Sequence, residues 1–126
     1  MTEHSAKQKY ARETGTQVEH WVAERLQQQG LVLLQHSFHC PVGEIDLIMQ
    51  EKKEIAFIEI KYRSKIQYGT GAEAITATKK RRIIKSAQWY LQKNPRLAKM
   101  ACRFDVIAIH HPEKEWNWIK YAFDAF

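Results

Sequence analysis

Two acids and a lysine interrupt the apolar runs of GEIDLIMQEKKEIAFIEIKYR, residues 43–63. Asp46 lies inside the first run, Glu59 inside the second, and Lys61 follows Glu59 by two positions. Residues two apart on an extended strand share a face, so Glu59 and Lys61 point into one cavity. If Lys52 and Lys53 form a turn between two strands, residues equidistant from it pair. Asp46 then opposes Glu59 and Glu44 opposes Lys61 on one face, with Ile45, Leu47, Ile58, Ile60 and Tyr62 on the other. The turn lacks the Asn-Gly or Asp-Gly that pins a two-residue loop, so a bulge that shifts this register by one stays open. Opposed carboxylates repel, and burial raises the cost unless a proton or a cation intervenes. A divalent ion such as Mg²⁺ or Mn²⁺ removes the conflict, and a nearby lysine can orient or help deprotonate a bound water, the arrangement phosphodiester hydrolysis requires. The same spacing also suits a solvated sheet face with ion pairs such as Glu44 with Lys61, since Glu-x-Lys arises often by chance.

Glu19 is a third acid candidate. It precedes Val22 by three residues and Leu26 by seven, which places it at the border of a helix's buried stripe. Thr16 to Glu19 also reads as a Thr-x-x-Glu capping box, in which the glutamate only returns to its own helix. Lys79, Lys80, Arg81 and Arg82 follow one another at the start of a later helix, where the dipole favours negative charge, and a phosphate backbone would supply the missing anion. A solvated basic face is the plainer alternative. Trp116 and Trp118 alternate on a last strand and are expected to pack rather than to stack bases. His36, His39, Cys40, His110 and His111 fit no standard zinc spacing. Asp105 is another acid in an apolar run, expected to hydrogen-bond a neighbouring loop, and Glu73 could cap a helix or pair with Arg63.

The elements that must position these residues read from the hydrophobic pattern. Val18, Trp21, Val22 and Leu26 recur at helical spacing from Gly15 to Gln29, closed by Gly30. LVLLQHSF, GEIDLIM and EIAFIEIKYR read as three strands of an antiparallel meander. From Thr76 to Lys93, Ile83, Ile84, Ala87, Tyr90 and Leu91 mark a second helix, ended by Asn94 and Pro95. CRFDVIAIH reads as a strand covered on both faces and EWNWIKYAF as the last strand. The order α-β-β-β-α-β-β predicts an α/β fold with a mixed central sheet flanked by helices.

With 126 residues and 44% hydrophobic content, the chain is expected to form a single domain over residues 14–126, preceded by a polar arm over 1–13. Twenty Lys and Arg against fourteen Asp and Glu give a net charge of +6, which points to a polyanionic partner. The polar start and the lack of a long apolar stretch predict a cytoplasmic protein with no membrane span. Cys40 and Cys102 match no metal motif and are expected to stay reduced.

Glu19, GEIDLI, FIEIKYR, GAEAITATKKRRI, the Ala-x-x-Tyr-Leu of helix two, RFDVIAI and the closing YAF together resemble the YraN-like family of small bacterial proteins, over about residues 12–126. That family has the fold of PD-(D/E)XK nucleases and is similar to archaeal Holliday-junction resolvases. The resemblance implies a restriction-endonuclease-like core in which Asp46 and Glu59, with the backbone carbonyl of Ile60, hold Mg²⁺ or Mn²⁺. It implies a water-activating role for Lys61, the helix-one acid role for Glu19, and phosphate binding by Arg63 and Lys79. Here GEID stands where the wider superfamily has Pro-Asp, Val18 stands where Gly usually precedes the helix acid, and Tyr62 replaces a frequent Thr. The expectation is a metal-dependent endonuclease acting on DNA, including branched or damaged forms, with a homodimer by analogy to junction cleavage. The alternative is a nucleic-acid-binding module that keeps the nuclease fold without turnover.

Overall fold

The computed structural model describes residues 17–63, 75–110 and 115–125, without the side chains of Arg63, His110 and Glu115. The polar arm, Thr16 of the capping box, Glu73 and His111 lie outside the described residues. Helix α1 (described over residues 17–28) leads into β1 (Val32–Cys40), β2 (Gly43–Glu51) and β3 (Glu54–Arg63). Helix α2 (Ala77–Lys93) and a single 3-10 turn (Leu97–Lys99) precede β4 (Ala101–His110) and β5 (Glu115–Phe123). The five strands form one sheet in the order β1-β2-β3-β4-β5, antiparallel except for the β3–β4 pair, which is parallel and joined through α2. The fold is therefore α/β with a mixed sheet and helices in the expected order.

Each helix forms because one stripe of its surface is apolar and each face of the sheet needs cover. Val18, Val22, Ala23 and Leu26 of α1 pack on Leu47, Met49, Ala56, Ile58, Ile107 and Ile109. Ile83, Ala87 and Tyr90 of α2 pack on the other face, against Ile48, Ile55, Phe57 and Phe104. Strand β4 is buried from Arg103 to Ile109, as a strand covered on both sides must be. Thr76 caps α2, its hydroxyl accepting from the Lys79 amide at 3.1 Å, and Asn94 ends the helix by donating to the Tyr90 carbonyl at 2.8 Å. Among the described residues, no helix is long and apolar enough to cross a membrane.

The Lys52–Lys53 turn forms as expected, with Lys52 itself taking the left-handed conformation (φ 54°) that Asn or Gly usually supplies. The β2–β3 ladder runs in the expected register from Glu51–Glu54 to Leu47–Ile58. Ile45 departs from the expected face: it joins Phe38 in the α2-side core, while Leu47 lies in the α1-side core. The strict alternation of a flat strand thus breaks at Asp46. Strand β1 is distorted at the same level, since Ser37, between the pairs His36–Leu47 and Phe38–Ile45, has φ 44°. A non-glycine residue in that region costs about 1–3 kcal/mol and persists only where its surroundings fix it.

Candidate active site

The two broken strands leave their side chains free for one another. In an unbroken ladder the Ile60 amide would bond the backbone of Ile45; instead it donates to Asp46 Oδ2 at 2.8 Å. The N–H and C=O of a strand residue point to the same edge, so the Ile60 carbonyl also faces the gap where β2 parts from β3. Glu59 follows on β3 with 7% of its surface exposed. Its Oε1 is 2.7 Å from Lys79 Nζ, from the first turn of α2, and 3.9 Å from Lys61 Nζ on its own strand. Glu19 comes from α1, where its Oε2 accepts from the Ser37 hydroxyl at 2.9 Å. The strained Ser37 backbone therefore holds the helix-borne acid beside the strand acids.

Burial first, and then the charge of Glu59 with a smaller part from Glu19, push the Asp46 carboxyl up from 3.8 to about 7. Burial draws the Lys79 ammonium down, but its bond to Glu59 and the nearby Asp46 charge outweigh that and hold it above the usual lysine value. Asp46 is thus held against ionisation by its burial and its acidic neighbours, and two lysines stand beside Glu59.

Asp46, Glu59, Lys61, Glu19 and Lys79 gather at this end of the sheet, and the other expected positions divide. Arg63 ends β3, and its side chain lies outside the described residues. The four-cation run is not one patch. An α-helix turns about 100° per residue, which spreads consecutive side chains around its axis. Lys79 and Arg82 line a groove of about 590 Å³ with His39, Gly43, Glu44 and Thr78. Lys80 lies over the Phe123 ring at 5.6 Å, and Arg81 bonds the Thr78 hydroxyl at 3.3 Å. Glu44 is paired with His39 Nδ1 at 3.3 Å rather than opposed to Lys61, because the ladder that would have opposed them ends at Leu47.

Two features had weaker signals in the sequence. Ser37 and Asp46 are equidistant from the Pro41–Val42 turn, so the register argument used for the next hairpin would have placed them side by side. Among the described residues, the partners of Asp105 come from β4 and β5 and not from a loop. Fully buried, Asp105 accepts from Arg103 Nε at 3.1 Å, Trp118 Nε1 at 3.0 Å and the Tyr121 amide at 3.2 Å. Arg103 also reaches Glu51 at 2.8 Å and Glu54 at 3.3 Å. Asp105 pairs with Ile58, one position before the level of Glu59, and the alternation of the strand turns the two acids to opposite faces of the sheet; the network serves packing, as do Trp116 and Trp118, the former edge-on to Trp21.

Among the described residues no three His, Cys, Asp or Glu side chains converge as a ready metal cage. Mg²⁺ commonly keeps several waters and takes only one or two carboxylates, so Asp46, Glu59 and the Ile60 carbonyl form a donor set that fits a hydrated ion.

Fold and site define an α/β protein with a five-stranded mixed sheet and a partly buried acid–lysine cluster where β2 parts from β3. A model of the uncharacterised protein family UPF0102 matches residues 18–109, a span that contains every residue of the cluster. The chain belongs to this family, the YraN-like group that its motifs resemble. It is similar to UPF0102 proteins of Saccharophagus degradans (42% identical over 104 residues, covering 82% of this chain and 88% of the relative) and Vibrio campbellii (43% over 112 residues, 88% and 92%). A UPF0102 protein of Pseudomonas fluorescens is 38% identical over 113 residues, covering 90% of this chain and 94% of the relative.

Proposed function

We propose that the protein is a divalent-metal-dependent endonuclease that hydrolyses phosphodiester bonds of DNA, branched or damaged DNA included, in the cytoplasm. The observation that carries this reading is the Asp46–Glu59 pair, a half-buried and a buried acid set against each other, with a lysine two residues along the strand from Glu59. A purely structural site gains nothing from that conflict, whereas a hydrated cation is stabilised by it. The element order is the one that the resemblance to PD-(D/E)XK nucleases implies.

A Mg²⁺ or Mn²⁺ ion held by Asp46, Glu59 and the Ile60 carbonyl would supply Lewis-acid charge and lower the pKa of a bound water. Lys61, 17% exposed and 3.9 Å from Glu59, is placed to orient the attacking water and to balance negative charge developing on the phosphate. Glu19 keeps its orientation through Ser37 and adds negative charge behind Asp46. Lys79 and Arg82 extend the site into a groove with the charge to hold a flanking phosphate. As the resemblance implies, water would attack in line with the 3′-oxygen as leaving group, giving a 5′-phosphate and a 3′-hydroxyl.

The test is incubation with linear, flapped, single-stranded and four-way-junction DNA, with Mg²⁺ or Mn²⁺ and with EDTA. Metal-dependent cutting that Glu59→Ala and Lys61→Ala lose is the expected result. Cutting by Lys61→Ala at the wild-type rate would remove Lys61 from the mechanism. A second reading, a nucleic-acid-binding module without turnover, is favoured by the Lys79 contact that already neutralises Glu59. It predicts salt-sensitive binding that survives loss of Asp46, with no cutting of any substrate.

A further inference from the structure

We infer that Lys79 is a resident counter-cation of the carboxylate site, displaced from Glu59 when a divalent ion enters and transferred to the groove, where it holds a nucleic-acid phosphate beside Arg82. The inference rests on the metal reading of Asp46 and Glu59 and adds a device that couples the two ligands.

Three observations support it. Lys79, at 2.7 Å, is a closer cation to Glu59 than the strand lysine at 3.9 Å, so it occupies carboxylate oxygen that an incoming ion needs. Its side chain is 42% exposed, and it lines the groove as well as the acid site. A lysine's flexible four-carbon stem lets its ammonium change partners without moving the helix. Arg82 stands three residues further along α2, and residues three apart are neighbours on a helix surface. A divalent ion and an ammonium competing for one buried carboxylate repel each other strongly, because the low local dielectric screens them poorly. Entry of the ion therefore expels Lys79, and the groove is the open space it already borders.

Coupling of this kind is reciprocal: whatever factor the ion adds to phosphate affinity, phosphate adds to ion affinity. The measurement is Mn²⁺ affinity of the nucleic-acid-free full chain by calorimetry, comparing wild type, Lys79→Met, Lys79→Arg, Lys80→Met and Glu59→Gln. Lys79→Met should bind Mn²⁺ roughly tenfold more tightly, within the usual range of coupling between sites. Lys79→Arg, which keeps the charge, should stay near wild type. Lys80→Met removes equal charge from the neighbouring residue and should also stay near wild type. With Ca²⁺ as a non-cleaving ion, wild-type affinity for a DNA duplex, read by fluorescence anisotropy, should rise on adding metal, and in Lys79→Met that rise should be lost. Equal Mn²⁺ affinity in wild type and Lys79→Met, with Glu59→Gln unable to bind, overturns the exchange and leaves the metal site standing. Absence of Mn²⁺ binding in every variant overturns both.

Discussion

Replacing Asp46 by Asn removes one negative charge and keeps a carbonyl oxygen able to accept from the Ile60 amide. In the folded chain the Asp46 carboxyl is pushed from 3.8 to about 7, by burial and then by Glu59. The folded state therefore holds its proton more tightly than the unfolded state. Its contribution to stability is complete below pH 3.8, falls as pH rises, and is gone above pH 7. At about 1.4 kcal/mol per pH unit the window sets a ceiling of about 4 kcal/mol, and sharing of the penalty with Glu59 leaves about 2–4 kcal/mol. Asp46→Asn should relieve that penalty. In metal-free buffer at pH 8 its melting temperature should exceed wild type by roughly 6–24 °C, at about 3–6 °C per kcal/mol for a domain of this size. Thermal unfolding from pH 4 to pH 8 in EDTA checks this: the gap should close toward pH 4, where wild-type Asp46 is also neutral. Adding Mn²⁺ should narrow it at pH 8 by stabilising wild type alone. An Asp46→Asn protein less stable than wild type at pH 8, or a gap unchanged at pH 4, would refute the account of Asp46 as a group held against its preferred ionisation.

Other expectations concern parts of the molecule outside that carboxyl. Arg103→Met should cost about 3–5 kcal/mol in denaturant unfolding, because it leaves the fully buried Asp105 without its cation; adding Asp105→Asn should recover part of the loss. Gly43→Ala should cost about 1–3 kcal/mol, since Gly43 has φ 156° and a Cβ there would lie 3.0 Å from Ser86 Oγ, packed under α2. If the groove takes phosphate, Arg82→Ala should reduce the slope of log affinity against log salt by about 1 on duplex DNA. Lys80→Ala, whose wild-type ammonium lies over Phe123, should leave that slope nearly unchanged.

The periodic part of this structure was legible in the sequence. Strand β3 begins and ends where its apolar run does, and the Lys52–Lys53 turn fixes the register as far as Leu47 and Ile58. Beyond that point a register counted from the turn holds only while backbone keeps pairing with backbone. The Asp46 carboxylate is a stronger acceptor than the carbonyl it replaces, so it takes the Ile60 amide and sends Ile45 to the other core. The surroundings of each residue in the cation run were hidden for a related reason. Four neighbours in sequence looked like one surface, and helical geometry sends Lys79 to the acids and Lys80 to Phe123. The partners of Arg103 and Asp105 are not legible in the sequence because an alternating strand conceals which of its neighbours brings a partner. Glu51, Glu54, Trp118 and Tyr121 are contributed by three other strands.

The connection between β3 and β4 also orders events in time. The β2–β3 hairpin joins near neighbours in the chain, whereas Lys79 arrives only with the crossover that pairs β3 and β4 in parallel, a contact slower to form because a longer loop must close first. The hairpin should then zip from Lys52 toward the acids and stall at Leu47, since Asp46 and Glu59 meet before any lysine of α2 can reach them. Folding is thereby biased to finish at the acid–lysine cluster. In native-state hydrogen exchange the Ile60 amide should open at lower free energy than those of Ala56 and Ile58.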